Sequence, residues 1–169
     1  MTFEDDEQWY SDLDWYAIDR NESIGQFSTA GHRLLPPSFA SNKEMTEKLS
    51  NYFESLTFGD KNFLICPDLK KNACAFKDMT NISFEAAMQI NDTSKHFAKR
   101  MASRGLFSYD SNTMWSPDDR TYFRFAIPKQ ELKLDELPQD IKIILERFRL
   151  VKVSFAEDTL ISEEITDKL

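Results

Sequence analysis

Glycine is scarce in this sequence. The four glycines among 169 residues, Gly25, Gly31, Gly59 and Gly105, stand too far apart to build a Walker loop or the turn of a dinucleotide-binding fold, so those routes to nucleotide binding are excluded. Histidine is scarcer still. His32 and His96 are the only two, and neither a His-Glu-x-x-His pair nor a Gly-x-Ser-x-Gly elbow is present. Cys66 and Cys74 are too few for a disulfide framework, and no zinc pattern fits their spacing. Both are expected as reduced, partly buried thiols. No run approaches the roughly 18 consecutive apolar residues that a membrane helix needs. The opening MTFEDDEQWY is acidic where a secretory leader would be basic and then apolar. A cytoplasmic protein with no cofactor, no metal and no membrane partner is therefore the expectation.

What is abundant is large apolar side chains. Fourteen phenylalanines and a hydrophobic fraction of 41% supply one core, and a charged fraction of 30% suits an ordinary globular surface. The whole chain, 1–169, reads as one domain with acidic and mobile ends at about 1–8 and 162–169. The net charge of −8 is uneven. Residues 1–25 hold eight acids against Arg20, and residues 157–169 hold five against Lys168. Of 29 acids and 21 bases, 13 and two lie in those ends, which leaves 16 and 19 between them, an excess of three bases. Acidic ends repel a phosphate backbone, which disfavours nucleic acid as a partner and suits a basic protein.

Local patterns predict an α+β fold: a mainly antiparallel sheet with about three to four helices packed on it as a single pair of layers. Trp15-Tyr16-Ala17-Ile18 and Ile24-Gly25-Gln26-Phe27 flank a polar turn and read as a hairpin, with an ordered loop through Pro36-Pro37 after it. Ser41 and Glu44 fit a capping box, so a helix is expected with Met45, Leu49, Tyr52, Phe53 and Leu56 on one stripe and Gly59 as its stop. A short strand follows at Asn62–Cys66, a turn at Lys70–Asn72 and a further strand at Ala73–Phe76. From Ser83 the pattern is helical, with a break at 91–94 and a natural end at Gly105. Leu106–Tyr109 and Tyr122–Ile127 are expected as antiparallel strands. A helix opened by Leu137-Pro138 follows, then an edge strand at Leu150–Phe155 and a last short strand at Thr159–Ile161.

Three groups of residues carry candidate chemistry. Trp9 and Tyr10 are interleaved with Asp5, Asp6, Glu7, Asp12 and Asp14. Aromatic anchors ringed by carboxylates suit the binding of a basic protein, because rings supply area to desolvate while acids steer the encounter. Three adjacent acids near the start lack the fixed geometry of acid–base catalysis. The second group, Lys95, His96, Lys99, Arg100 and Arg104, could grip phosphate, with Phe107 and Tyr109 near for stacking; a solvated helix face is the simpler reading. The third is His32 in a rigid loop, able to titrate near neutral pH and to centre a small enzyme.

The order WYAIDRNESIGQFSTAG, ASRGLFSYD and YFRFAIP followed by ELP resembles a loose group of small bacterial proteins, some of them similar to immunity proteins that neutralise the toxin of a neighbouring locus. The resemblance covers about a third of the chain and rests on Trp15, Asp19, Gly25, Arg104, Gly105, Tyr109, Asp110, Arg124 and Pro128. It implies a non-enzymatic inhibitor whose acidic surface caps a basic toxin. A regulatory or nucleic-acid-associated module working through the helix around Lys99, and the small enzyme centred on His32, are the alternatives.

Overall fold

The computed structural model describes residues 1–57, 62–74, 92–114, 116, 118–162, 166 and 169, with the backbone alone at 92–96 and 114. The expected helix stop at Gly59, residues 83–91 of the expected helical stretch and residues 75–76 of the expected strand lie outside the described residues, as do the side chains of Lys95 and His96; Ala73 and Cys74, the described half of that strand, are not in a strand.

The hairpin forms as expected, from β1 (Asp14–Asp19) and β2 (Ile24–Ser28). Its turn is closed by one side chain: the Asp19 carboxylate accepts the Asn21 and Ser23 N–H groups at 2.8 and 2.9 Å. The remaining strands are β3 (Phe63–Ile65), β4 (Phe107–Ser111), β5 (Thr121–Pro128), β6 (Arg149–Leu150) and β7 (Leu160–Ser162). Their order is β3-β5-β4-β2-β1-β6, with β7 also paired to β5.

The sheet is mixed, not mainly antiparallel. β4 and β5 pair antiparallel as expected, but β4 lies parallel to β2 and β6 parallel to β1. A parallel neighbour requires a crossover. The chain supplies one between β2 and β4, where it passes through α2 (Pro37–Ala40), α3 (Lys43–Ser55), α4 (Leu69–Asn72) and α5 (Asp92–Ser103).

With α1 (Asp5–Tyr10) and α6 (Gln139–Leu145), the described residues hold six α-helices where three to four were expected. The three extra ones, α1, α2 and α4, are only four to six residues long and too short to write an apolar period. The turn expected at Lys70–Asn72 is thus the helix α4. Helix α3 begins one residue later than the capping box suggests. Ser41 closes α2, and the Asn42 side chain accepts the Met45 N–H at 3.1 Å.

Both faces of the sheet are covered, so it does not form a single pair of layers. Tyr16 packs on Phe53 of α3 with ring centroids 4.7 Å apart, while Trp15, its neighbour in β1, meets Phe39 of α2 at 5.6 Å on the other face. On that second face Trp15, Phe27 and Tyr109 stack in a column at 4.1 and 4.9 Å. The Trp15 indole donates to the Tyr122 hydroxyl at 3.0 Å, so this buried polar handle is satisfied.

The strand expected over Leu150–Phe155 ends at Leu150. Beyond it, backbone amides turn to the carboxylates of buried Asp19 and half-buried Asp158 instead of a neighbouring strand. The Ser154 N–H donates to Asp158 and the Phe155 N–H to Asp19, both at 2.8 Å. Phe155 is then gripped by residues of the motifs noted above. Tyr109 donates to the Asp158 carbonyl at 2.6 Å, Arg124 donates to the Phe155 carbonyl, and Gly25 leaves room for the Phe155 ring. A Cβ at Gly25 would sit 2.7 Å from that ring.

Candidate functional site

The site is built from α1 and the strand ends beside it. Residues 1–8, expected as a loose acidic end, are docked. Phe3 is buried and its N–H donates to the Ala40 carbonyl at 2.9 Å, and the Met1 carbonyl accepts from Lys43 at 2.8 Å. Gln8 is buried on the inner side of α1, where its carbonyl oxygen accepts the Leu35 N–H at 3.0 Å. Glu7 is tied to Lys43 at 2.5 Å. With the inner side held, the outer side is free of the core. Asp5 and Asp6 are exposed, Trp9 is 45% exposed and Tyr10 is 88% exposed. Leu34, next to the residue that Gln8 holds, is exposed as well.

The chain leaves α1 into a group of carboxylates. Asp12 accepts from the Ser28 hydroxyl at 2.6 Å and from the Ala30 N–H at 3.0 Å, which fastens the loop after β2. Asp14 accepts from the Gln26 amide at 2.5 Å, and the Gln26 carbonyl accepts from the Ser108 hydroxyl at 2.5 Å. Pairing of Asp14 with Ser28 and of Gln26 with Ser108 puts these side chains on one face of the sheet. Asp110, two residues beyond Ser108, shares that face and accepts the Ser111 N–H at 2.8 Å. Among the described residues no Lys, Arg or His pairs with Asp12, Asp14 or Asp110.

The electrostatics follow from that lack. Burial and then the Asp12 charge push Asp14 well above the usual carboxylate range, against the Gln26 hydrogen bond. The same two causes push Asp110 up to about 7, against the Ser111 N–H. Both keep partial access to solvent. Two residues along β1 from Asp14, on the same face, is Tyr16, whose hydroxyl is fully buried and without a hydrogen-bond partner. Burial and then the Asp14 charge push it up, Glu54 adds to this, and Ser50 and Arg104 oppose it; Ser50 lies near without completing a hydrogen bond.

The other candidates are placed apart. His32 is exposed in the loop that abuts Ser11 and Asp12, and among the described residues its side chain meets neither a carboxylate nor Cys66, which is buried. Lys99 lies 5.9 Å from the Phe63 ring and Arg100 5.1 Å from that of Phe97. Arg104 donates to the Leu56 and Glu54 carbonyls at 2.9 and 2.7 Å, which caps the end of α3. Of these cations, Arg104 is therefore held inward.

Comparison with protein-family models, with curated proteins and with solved structures finds no match to this chain. Among the described residues no helix is long and apolar enough to cross a membrane, and no three His, Cys, Asp or Glu side chains are gathered to hold a metal ion.

Sequence reasoning singled out Asp12 and Asp14, met Tyr16 only as an aromatic of the first strand and Asp110 only within a motif, and missed Gln26 and Ser108. The signal was there. Gln26 interrupts a strand that is buried at every position, and Ser108 and Asp110 alternate with Phe107 and Tyr109. Polar residues at alternate positions of a central strand mark one face as a site for polar chemistry.

Proposed function

We propose that this chain is a non-enzymatic protein-binding protein that docks a basic partner on the acidic, aromatic outer side of α1 and the adjoining carboxylates. The observation that carries this reading is the exposure of Trp9 and Tyr10 beside Asp5 and Asp6, on a helix whose inner side is fixed by Gln8 and Phe3. A ring left in water on an anchored helix is ready to be desolvated without a large ordering cost, and the acids around it raise the rate of encounter with a basic surface.

The specific form we favour is an immunity-type inhibitor that neutralises a basic toxin in the cytoplasm. Support comes from the motif residues and from Cys66, a buried thiol outside any disulfide, which suits a reducing compartment. Exposure of His32, with no carboxylate or thiol on its side chain among the described residues, weighs against the enzyme reading, and the inward commitment of Arg104 weighs against a phosphate grip on α5.

The test is capture from the native cell extract by the tagged chain and by a variant carrying Asp5→Asn, Asp6→Asn, Trp9→Ala and Tyr10→Ala. One stoichiometric basic protein, held by the native chain and lost by the variant, is the expected result. Capture of none, or of one that the variant holds equally well, contradicts the reading.

A further inference from the structure

We propose that this chain carries a second site, away from α1, that binds a small neutral polyol of monosaccharide size. Among the described residues a cavity of about 220 Å³ opens where α3 and α5 end, walled also by Asn62 ahead of β3 and by the loop after β5. At roughly 30 Å³ for each water, that space holds about seven waters, the bulk of one sugar ring. It is separate from the acidic surface. Lys43, which holds Glu7 of α1, opens the 13-residue helix α3, and Thr57 of the cavity lies past its other end, about 20 Å along the axis.

The walls are fixed before any ligand arrives. Arg104 is planted on the Leu56 and Glu54 carbonyls. Gly105, at φ +97°, accepts the Leu132 N–H at 3.0 Å, an approach that a Cβ would block because it would lie 2.6 Å from that nitrogen. Glu131 is held by Lys133 at 2.5 Å and by the Ser23 hydroxyl at 2.8 Å, and Glu136 accepts the Lys133 N–H at 2.7 Å. Such a frame spares a ligand the cost of ordering the site.

Ser103 is the polar group that the fold leaves unsatisfied. It lines the cavity at 6% exposure, and its hydroxyl has no hydrogen-bond partner among the described residues. A hydroxyl set so deep gains a partner only from what fills the cavity. The Thr57 hydroxyl and the Asn62 and Gln130 amides line the same space, also without side-chain partners among the described residues. The charges then select a neutral occupant. Glu131 and Glu136 oppose an anion, Arg104 opposes a cation, and the described residues gather no three ligating side chains for a metal ion. Ligand hydroxyls, which donate and accept, answer serine, threonine, amide and carboxylate alike, while half-buried Leu132 supplies apolar surface for the C–H groups of a ring.

The test uses the full chain, with D-glucose, D-galactose, D-mannose and myo-inositol as neutral probes and with phosphate and n-butylamine as charged controls at matched ionic strength. The side-chain amide signals of Asn62 and Gln130 and the Gly105 N–H are followed by NMR. At least one neutral probe should shift them saturably, with Kd on the order of 1 mM. Ser103→Ala and Gln130→Ala should each weaken that response at least about fivefold, the worth of one hydrogen bond. Ser103→Ala breaks no hydrogen bond of the described fold, and Gln130 is exposed, so both variants should keep the native melting temperature and report on binding alone. No saturable shift from any of the four neutral probes, a response that both variants keep in full, or saturation by phosphate or n-butylamine alone overturns the proposal.

Discussion

Gln26 holds Asp14. Its amide donates to that carboxylate at 2.5 Å from the middle of a strand buried on both faces, and its other end is held by Ser108. One side chain thereby fixes the carboxylate of β1 against β4, where Asp110 stands. The first prediction concerns the cost of that placement.

Asp110 is raised by burial and by Asp12 from the ordinary range to about 7. A group raised in the folded state contributes stability that is fully present below its unfolded value near pH 4 and is lost as pH rises through about 7. Asp14, raised by burial and Asp12, acts with the same sign. Asp110→Asn removes this loss at one position. Urea denaturation of both proteins across the range from about pH 4 to about pH 7 should show the variant gaining on the native chain as pH rises. A constant difference would contradict the placement of Asp110.

Asp19 is the structural counterpart of this cluster. It accepts three backbone N–H groups, from Asn21, Ser23 and Phe155, and so ties the hairpin to the segment after β6. Asp19→Ala strands these donors in a buried site and should cost about 2–4 kcal/mol, with Asp19→Asn costing less. Denaturant midpoints at constant slope measure both.

The Phe155 ring fills the space left by Gly25, where an added Cβ would lie 2.7 Å away. Gly25→Ala should destabilise by about 1–3 kcal/mol through overpacking. Phe155→Leu introduces its own cavity, but the double variant should be more stable than the sum of the two single losses predicts. A double-mutant cycle with no coupling would show that the two positions do not meet.

The strands, the long helices and the glycine end of α5 were legible because each is written in local periodicity or turn chemistry; Gly105, at φ +97°, is the left-handed residue its position called for. The parallel pairings of β2 with β4 and β1 with β6 were not. They depend on which strands meet after 78 and 129 intervening residues, and local pattern carries no record of that. The edge strand at Leu150–Phe155 failed for a different reason. There the Asp19 and Asp158 carboxylates take the Phe155 and Ser154 amides that a strand would have given its neighbour. The acidic aromatic group at α1 was visible from composition, whereas the pairing of Asp14 with Gln26 and the approach of Asp110 needed the register.

Tyr10 is the outermost ring of α1, at 88% exposure. Tyr10→Ala should leave stability within about 0.5 kcal/mol while weakening the basic partner by about 2 kcal/mol. Comparison of thermal denaturation with titration calorimetry against the captured partner separates the two effects. Loss of stability with affinity unchanged would assign Tyr10 to the fold instead of the interface.

The most direct measurement is the association rate of the captured partner with the native chain and with Asp5→Asn/Asp6→Asn, followed across ionic strength. If the acidic side of α1 steers a basic partner, the native rate falls steeply with salt, and the variant starts slower and falls less. Equal rates and equal salt slopes for the two proteins would contradict the account.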